Sequence, residues 1–101
     1  MTDYEKSNKY NVLLNKRSRA FLNGLDNFSY SNLLSKILDL EKEPRPTGCV
    51  KLSVQNAYRI RWTFYRVLYT VDDKEHNVFV YEISKRKDAY KNVMKYSKQT
   101  P

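Results

Sequence analysis

The stretch Tyr58-Arg59-Ile60-Arg61-Trp62-Thr63-Phe64-Tyr65-Arg66-Val67-Leu68-Tyr69 decides how the chain is built. Arginines alternate in it with large apolar and aromatic residues. On an extended strand successive side chains leave on opposite faces, so Arg59 and Arg61 share one face and Tyr58, Ile60 and Trp62 the other. A strand divided in this way gives one face to a core and presents guanidinium groups on the other. Tyr58 to Trp62 and Tyr65 to Val71 read as consecutive strands of a meander.

Outward from this stretch the same logic holds. Asp72-Asp73-Lys74-Glu75-His76-Asn77 is a polar connection suited to a hairpin, and Val78 to Ile83 is the next strand. Upstream, Val50 to Val54 reads as a short strand and Gln55-Asn56 as turn residues. Tyr10 to Leu14 is a first, apolar strand. Lys16 to Leu25 carries Phe21, Leu22 and Leu25 on one helical face, with Lys16, Arg17 and Arg19 towards its start. Gly24 and Asp26-Asn27 are stop or turn signals. Ser29 or Ser31 is positioned to cap a second helix, in which Leu33, Leu34, Ile37, Leu38 and Glu41 fall at helical spacing. Pro44 ends it, and Pro46-Thr47-Gly48 turns the chain into the sheet. Asp88 opens a last short helix running to about Tyr96, with Tyr90, Val93, Met94 and Tyr96 as its apolar stripe. Residues 1–8 are polar and expected to fray. Helices and strands segregate along the chain. The expectation is one α+β domain spanning residues 1–101, with two N-terminal helices packed on a twisted, mostly antiparallel sheet of four or five strands, and a short C-terminal helix.

Composition narrows the class. The chain has 101 residues, 41% of them hydrophobic and 14% aromatic, with only two glycines and three prolines. That is enough for one modest core and too apolar for a disordered chain. Lysine and arginine number 19 against 11 acidic residues, a net charge of +8. Such a balance in so short a chain favours nucleic acid or another acidic partner. The single cysteine, Cys49, excludes an internal disulfide and points to a reducing compartment. No apolar run approaches the ~18 residues of a membrane span, and the polar N-terminus lacks a signal-peptide core. A cytoplasmic protein with no membrane partner is expected.

The familiar catalytic equipment is missing. His76 is the only histidine, and it sits in a turn among charged residues. Cys49 has no histidine near it in sequence and reads as a small buried or edge residue. There is no metal-ligand spacing and no glycine-rich phosphate loop, so neither metal nor cofactor is expected. Any chemistry must run on arginine, lysine and tyrosine. RNA suits that set, because its 2′-hydroxyl is a built-in nucleophile beside the phosphate. The protein then has to hold the nucleotide in line and neutralise growing negative charge. Arg66, in a central strand, suits the phosphate: an unpaired charge there is costly unless it faces an anion. The alternative for Arg66 is a structural ion pair with Glu82 or Asp88. Arg59, Arg61 and Lys51 extend the basic face, with Lys85 and Lys87 as further RNA contacts. Tyr90 either meets an unstacked base or a proton, or packs the last helix onto the sheet. Trp62, Tyr58, Tyr69 and Tyr81 read as core.

Taken in order, Pro44-Arg45-Pro46-Thr47-Gly48-Cys49-Val50-Lys51-Leu52, Tyr58-Arg59-Ile60-Arg61, Tyr65-Arg66-Val67-Leu68-Tyr69, the acidic turn, Val78-Phe79-Val80-Tyr81-Glu82-Ile83 and Arg86-Lys87-Asp88-Ala89-Tyr90 make a pattern. It resembles the RelE/ParE superfamily of toxins from toxin–antitoxin pairs, over roughly Tyr10 to Tyr96 and most specifically from Gly48 to Tyr90. Thr63-Phe64 stands where the family commonly has a Gly-Asp or similar turn. The resemblance implies a metal-independent endoribonuclease that enters the ribosomal A site, contacts ribosomal RNA and cuts mRNA there. A cognate antitoxin would neutralise it. It also implies roles: Arg66 and Arg86 at the phosphate and leaving group, Arg59 and Arg61 as base or charge stabiliser, Tyr90 in support. Arginine stays protonated in proteins, so Arg59 and Arg61 are electrostatic before they are bases. The superfamily's other branch, the ParE type, poisons DNA gyrase without an active site, and Arg66, Arg86 and Tyr90 together favour the RNA-cleaving branch. An inactive RNA-binding module is a third reading. Nothing in the sequence indicates an oligomeric state.

Overall fold

The computed structural model describes residues 9–85. The chain enters as strand β1 (Asn11–Leu14), passes through helices α1 (Lys16–Asn23) and α2 (Asn27–Leu38), and closes α2 with a 3-10 turn (Asp39–Glu41). Strands β2 (Val50–Lys51), β3 (Ala57–Trp62), β4 (Tyr65–Asp72) and β5 (Asn77–Lys85) follow. They form one five-stranded sheet in the order β1-β5-β4-β3-β2. The β2 to β5 pairings are antiparallel, whereas β1 lies parallel to β5 at the sheet's edge. Two helices on a largely antiparallel sheet agree with the expected architecture. The expected helix from Asp88 to Tyr96 lies outside the described residues.

Two local expectations are corrected. Asp26, taken as part of a stop signal, is the N-cap of α2, and its carboxylate accepts the Ser29 N–H at 3.1 Å. Aspartate is among the strongest N-caps, because its oxygen satisfies an otherwise orphaned donor. Strand β2 is only two residues long rather than Val50 to Val54. Beyond Lys51 the chain bends, with Leu52 N–H donating to the Ala57 carbonyl and Ala57 N–H to that of Val54.

The core is the face that the alternation singled out. Tyr58 and Ile60 from β3, Tyr65, Val67, Tyr69 and Val71 from β4, and Val78, Val80 and Ile83 from β5 are all buried. Leu22, Leu33, Ile37 and Leu40 cover them from the helical side. Tyr69 is completely enclosed, and its hydroxyl donates to the Pro44 carbonyl at 2.7 Å. Trp62 and Tyr81 are half-buried. The hairpin between β3 and β4 is tight: Trp62 pairs with Tyr65, leaving Thr63 and Phe64 as its loop, with Thr63 at φ +51°.

Strand β5 carries a bulge. Leu68 pairs with Glu82 and Tyr69 with Val80, so Tyr81 has no partner across the ladder. The residue that absorbs this irregularity is Asn15. Its backbone N–H donates to the Val80 carbonyl at 3.2 Å and its side-chain amide to that of Tyr81 at 3.0 Å. The same side chain caps α1 by accepting the Ser18 N–H at 2.8 Å. One asparagine thereby fixes the start of the first helix to the irregular part of the sheet.

His76, expected in an exposed turn, is half-buried and left-handed, at φ +58°. Its ring stacks on Tyr10 with centroids 4.5 Å apart. Beside it, Arg45 grips both carboxylate oxygens of Asp73 at 2.8 and 3.1 Å and donates to the Tyr58 hydroxyl at 2.9 Å. The Tyr10 hydroxyl donates to Asp73 at 2.7 Å. This polar node joins the entry to β1, the loop before β2, strand β3 and the β4–β5 turn.

Candidate functional site

The face of the sheet away from the helices holds the arginines. Cross-strand register fixes this: directly opposed residues share a face, and Arg61 opposes Arg66, which opposes Ser84. The adjacent row runs from Val50 through Arg59 and Leu68 to Glu82. Farther along the same face, Leu13 and Phe79 pair across β1 and β5, both exposed. The site is therefore a rank of three arginines on two central strands, bordered by a serine and a glutamate.

Each arginine sits differently. Arg66 is half-buried, and its Nε donates a long hydrogen bond of 3.4 Å to the Ser84 hydroxyl. Among the described residues it makes no ion pair with Glu82, whose cross-strand partner is Leu68. The other carboxylate considered for it, Asp88, lies outside the described residues. Arg59 is half-buried too, and its Nε is shut from solvent without a hydrogen-bond acceptor among the described residues. Arg61 is exposed. Two like charges directly opposite one another, Arg61 and Arg66, are unfavourable across a ladder unless something negative lies between them. Forked donors from neighbouring strands are the geometry a phosphate takes up best.

The lysines part company with this rank. Lys51, expected to extend the basic face, pairs with Tyr58 and so projects on the helical side, with Nζ 5.8 Å from the Tyr58 ring centroid. Lys85 pairs with Tyr65 on that same side, its Nζ 5.9 Å from that ring centroid. A two-residue strand shows no alternation in the sequence, so nothing there gave Lys51 its direction. Arg86, Lys87 and Tyr90 lie outside the described residues. Among the described residues no group of three or more histidine, cysteine, aspartate or glutamate side chains is placed to hold a metal ion. No described helix is long and apolar enough to cross a membrane.

Electrostatic coupling is pronounced at the node. The Asp73 carboxyl is held below the usual carboxylate range, first by the hydrogen bond from Arg45 and then by that from Tyr10. The Tyr10 hydroxyl is pushed up, chiefly by its bond to Asp73. Burial raises the Tyr69 hydroxyl, with Cys49 beside it adding to the effect. These groups fasten the fold.

A basic α+β domain, with its described helices on one face of a five-stranded sheet and three arginines on the other, defines the class of fold. Solved structures narrow it. The archaeal RelE in the RelE–RelB complex from Pyrococcus horikoshii superposes with a TM-score of 0.71 at 28% identity, covering 77% of this chain and 96% of that one. The isolated E. coli RelE toxin gives 0.68 at 23% identity, over 86% and 97% of the two chains. The RelBE2 toxin–antitoxin complex of Mycobacterium tuberculosis gives 0.67 at 23% identity, over 77% and 92%. No family model and no curated protein matches the sequence. The chain is RelE-like, with the fold of the RelE toxins.

Proposed function

We propose that this chain is the toxin of a toxin–antitoxin pair and that it cuts mRNA on the ribosome. The observation that carries the reading is the placement of Arg61 opposite Arg66, with Arg59 in the next row, on the sheet face opposite the described helices. Neighbouring structures of RelE bound to RelB support an antitoxin partner. The net charge of +8 suits ribosomal RNA.

The chemistry follows from the rank. A phosphate seated between Arg61 and Arg66 has its charge neutralised most when it is greatest, in the pentavalent state. The adjacent 2′-oxygen forms its bond to phosphorus as the bond to the 5′-oxygen of the next nucleotide breaks. A cyclic phosphate and a free 5′-hydroxyl result. Arg59, whose Nε is shut from solvent with no acceptor among the described residues, is positioned to reinforce the field. Arg86 at the leaving group and Tyr90 in support complete the proposed set. The ribosome supplies much of the alignment, which is why so few protein groups suffice.

Induced expression should arrest growth, and primer extension on mRNA from those cells should show new ends inside translated codons. Purified protein should cut mRNA with ribosomes present and leave it whole without them. DNA breaks with intact mRNA would assign the chain to the gyrase-poisoning branch instead.

A further inference from the structure

Val78 and Val80 are buried, and the two-residue period of a strand would send Glu82 into the core behind them. It does not go there. The bulge adds Tyr81 to the count, so the next buried residue is Ile83, and Glu82 turns onto the arginine face opposite Leu68. Bulges re-aim side chains in this way and recur beside active sites. Asn15 holds this one through the Val80 and Tyr81 carbonyls. One irregularity, with its own anchor, therefore places a carboxylate among the arginines.

Glu82 is half-buried, and among the described residues its side chain makes no hydrogen bond or ion pair. Ser84, two residues on, opposes Arg66, so Glu82 is the diagonal neighbour of that arginine, with Cβ atoms roughly 7 Å apart. Side chains of this length can pair across such a distance, and these do not. Leu68, half-buried, separates Glu82 from Arg59 in its own row. The other acid on this face of the described strands is Asp72, whose Oδ1 accepts the N–H groups of Lys74 and Glu75 in the β4–β5 turn. Glu82 is the one whose acceptor oxygens are uncommitted among the described residues.

The cleavage proposed above lacks a proton acceptor, because arginine stays protonated in proteins. We infer that Glu82 is the catalytic base of that cleavage and accepts the proton of the 2′-hydroxyl. With the phosphate on Arg66, the ribose joined to it comes within reach of the Glu82 carboxylate. As the 2′-oxygen forms its bond to phosphorus, its proton passes to the carboxylate. The bond from phosphorus to the 5′-oxygen breaks, and that oxygen keeps the electron pair and takes a proton from water. Glu82 then returns its own proton to solvent, so the step closes without a further reactant. Proton transfer of this kind contributes roughly a hundredfold or more to a rate. The inference rests on the arginine face being a site of RNA cleavage, and it assigns the part of the reaction that the arginines cannot perform.

The test is single-turnover cleavage of ribosome-bound mRNA across a range of pH, by the full chain and by Glu82→Gln, which keeps the shape of the side chain and loses its charge. The parent rate should climb about tenfold per pH unit on the acid side and then level off. Glu82→Gln should cut roughly a hundredfold more slowly or worse, bind ribosomes at least as tightly, and have no acid limb. Glu82→Asp, a shorter base, should recover part of the rate and the limb with it. Of the groups that share the face, the arginines stay protonated throughout and tyrosine hydroxyls are neutral in acid, while Asp72 and His76 lie at the other end of the β4–β5 ladder. A carboxylate that merely offsets repulsion among the arginines predicts the opposite: Glu82→Gln would then melt lower and cut at the parent rate. A slow Glu82→Gln that keeps the acid limb acts through structure, and that result also overturns the base. If the parent cuts and Glu82→Gln cuts equally well, the base falls and the arginine site stands. A parent that leaves mRNA whole on the ribosome overturns both.

Discussion

Arg59 illustrates a conflict between stability and the proposed activity. Its Nε is closed off from water with no acceptor among the described residues, a state that costs a fold roughly 1–3 kcal/mol. Arg59→Met keeps the stem and removes the stranded donor, so the variant should be as stable as the parent or up to about 1 kcal/mol more stable, yet weaker at cleavage. Urea denaturation beside the ribosomal assay reads both quantities. Arg66→Ala removes the contact proposed for the transition state. It should lower the rate roughly a hundredfold or more without moving the unfolding midpoint by as much as a core change would. Tyr69→Phe behaves oppositely. It strands the buried Pro44 carbonyl, which accepts the tyrosine hydroxyl at 2.7 Å, and should cost about 1–3 kcal/mol of stability with activity intact at low temperature. If Arg66→Ala and Arg59→Met both cleave at the parent rate, the arginine rank is not the active site.

The β3–β4 hairpin shows what the sequence conveys about an element and what it withholds. Its two strands were readable because apolar and basic residues from Tyr58 to Trp62 alternate with the period of a pleated sheet, and the same alternation put Arg59 and Arg61 on one face, whereas Arg66 joins them only through the cross-strand register. The turn itself was less readable, because Thr63 adopts φ +51°, a region that β-branched residues avoid. Thr63→Asn should relieve this strain and raise stability by about 0.5–1 kcal/mol, measured as a rise in melting temperature. No change would mean that the loop bends at little cost. Other features were invisible for physical reasons. The bulge at Tyr81 leaves an unbroken apolar run, Val78 to Ile83, that looks regular. The parallel partner of β1 depends on a contact across the whole chain. Asp26 was misread because aspartate signals both a turn and a helix start, and only the Ser29 N–H decides between them. Lys51 lies on a strand too short to have a period.

At the scale of the whole molecule, the node of Tyr10, Arg45, Tyr58, Asp73 and His76 ties four separate segments at one end of the sheet. Its pH dependence has a definite sign. A carboxyl whose folded pKa is depressed adds stability above its unfolded value of ~3.9 and loses that contribution as pH falls through the folded pKa. The difference in melting temperature between the parent and Asp73→Asn should therefore be constant near neutral pH and vanish in acid. Tyr10, raised by Asp73, acts at the other limit. Its contribution is complete below the unfolded tyrosine value of ~10 and disappears as pH climbs through the raised one. A difference that persists unchanged in acid would show that the carboxylate's charge plays no part in the node. The parallel pairing of β1 with β5 has a consequence for how the chain is made. Asn11 and Asn77 touch across 66 positions, and β5 sits between β1 and β4. During synthesis β1 emerges first and has nowhere to pair, while β4 keeps a raw edge, until the last strand arrives and closes two ladders together. Contacts of such long range are formed late and slowly. Ser84, the neighbour that steadies Arg66, is itself in that last strand. A nascent chain that stops short of β5 thus lacks the Ser84 contact to Arg66, and the sheet beneath the arginines is closed only once β5 has been made.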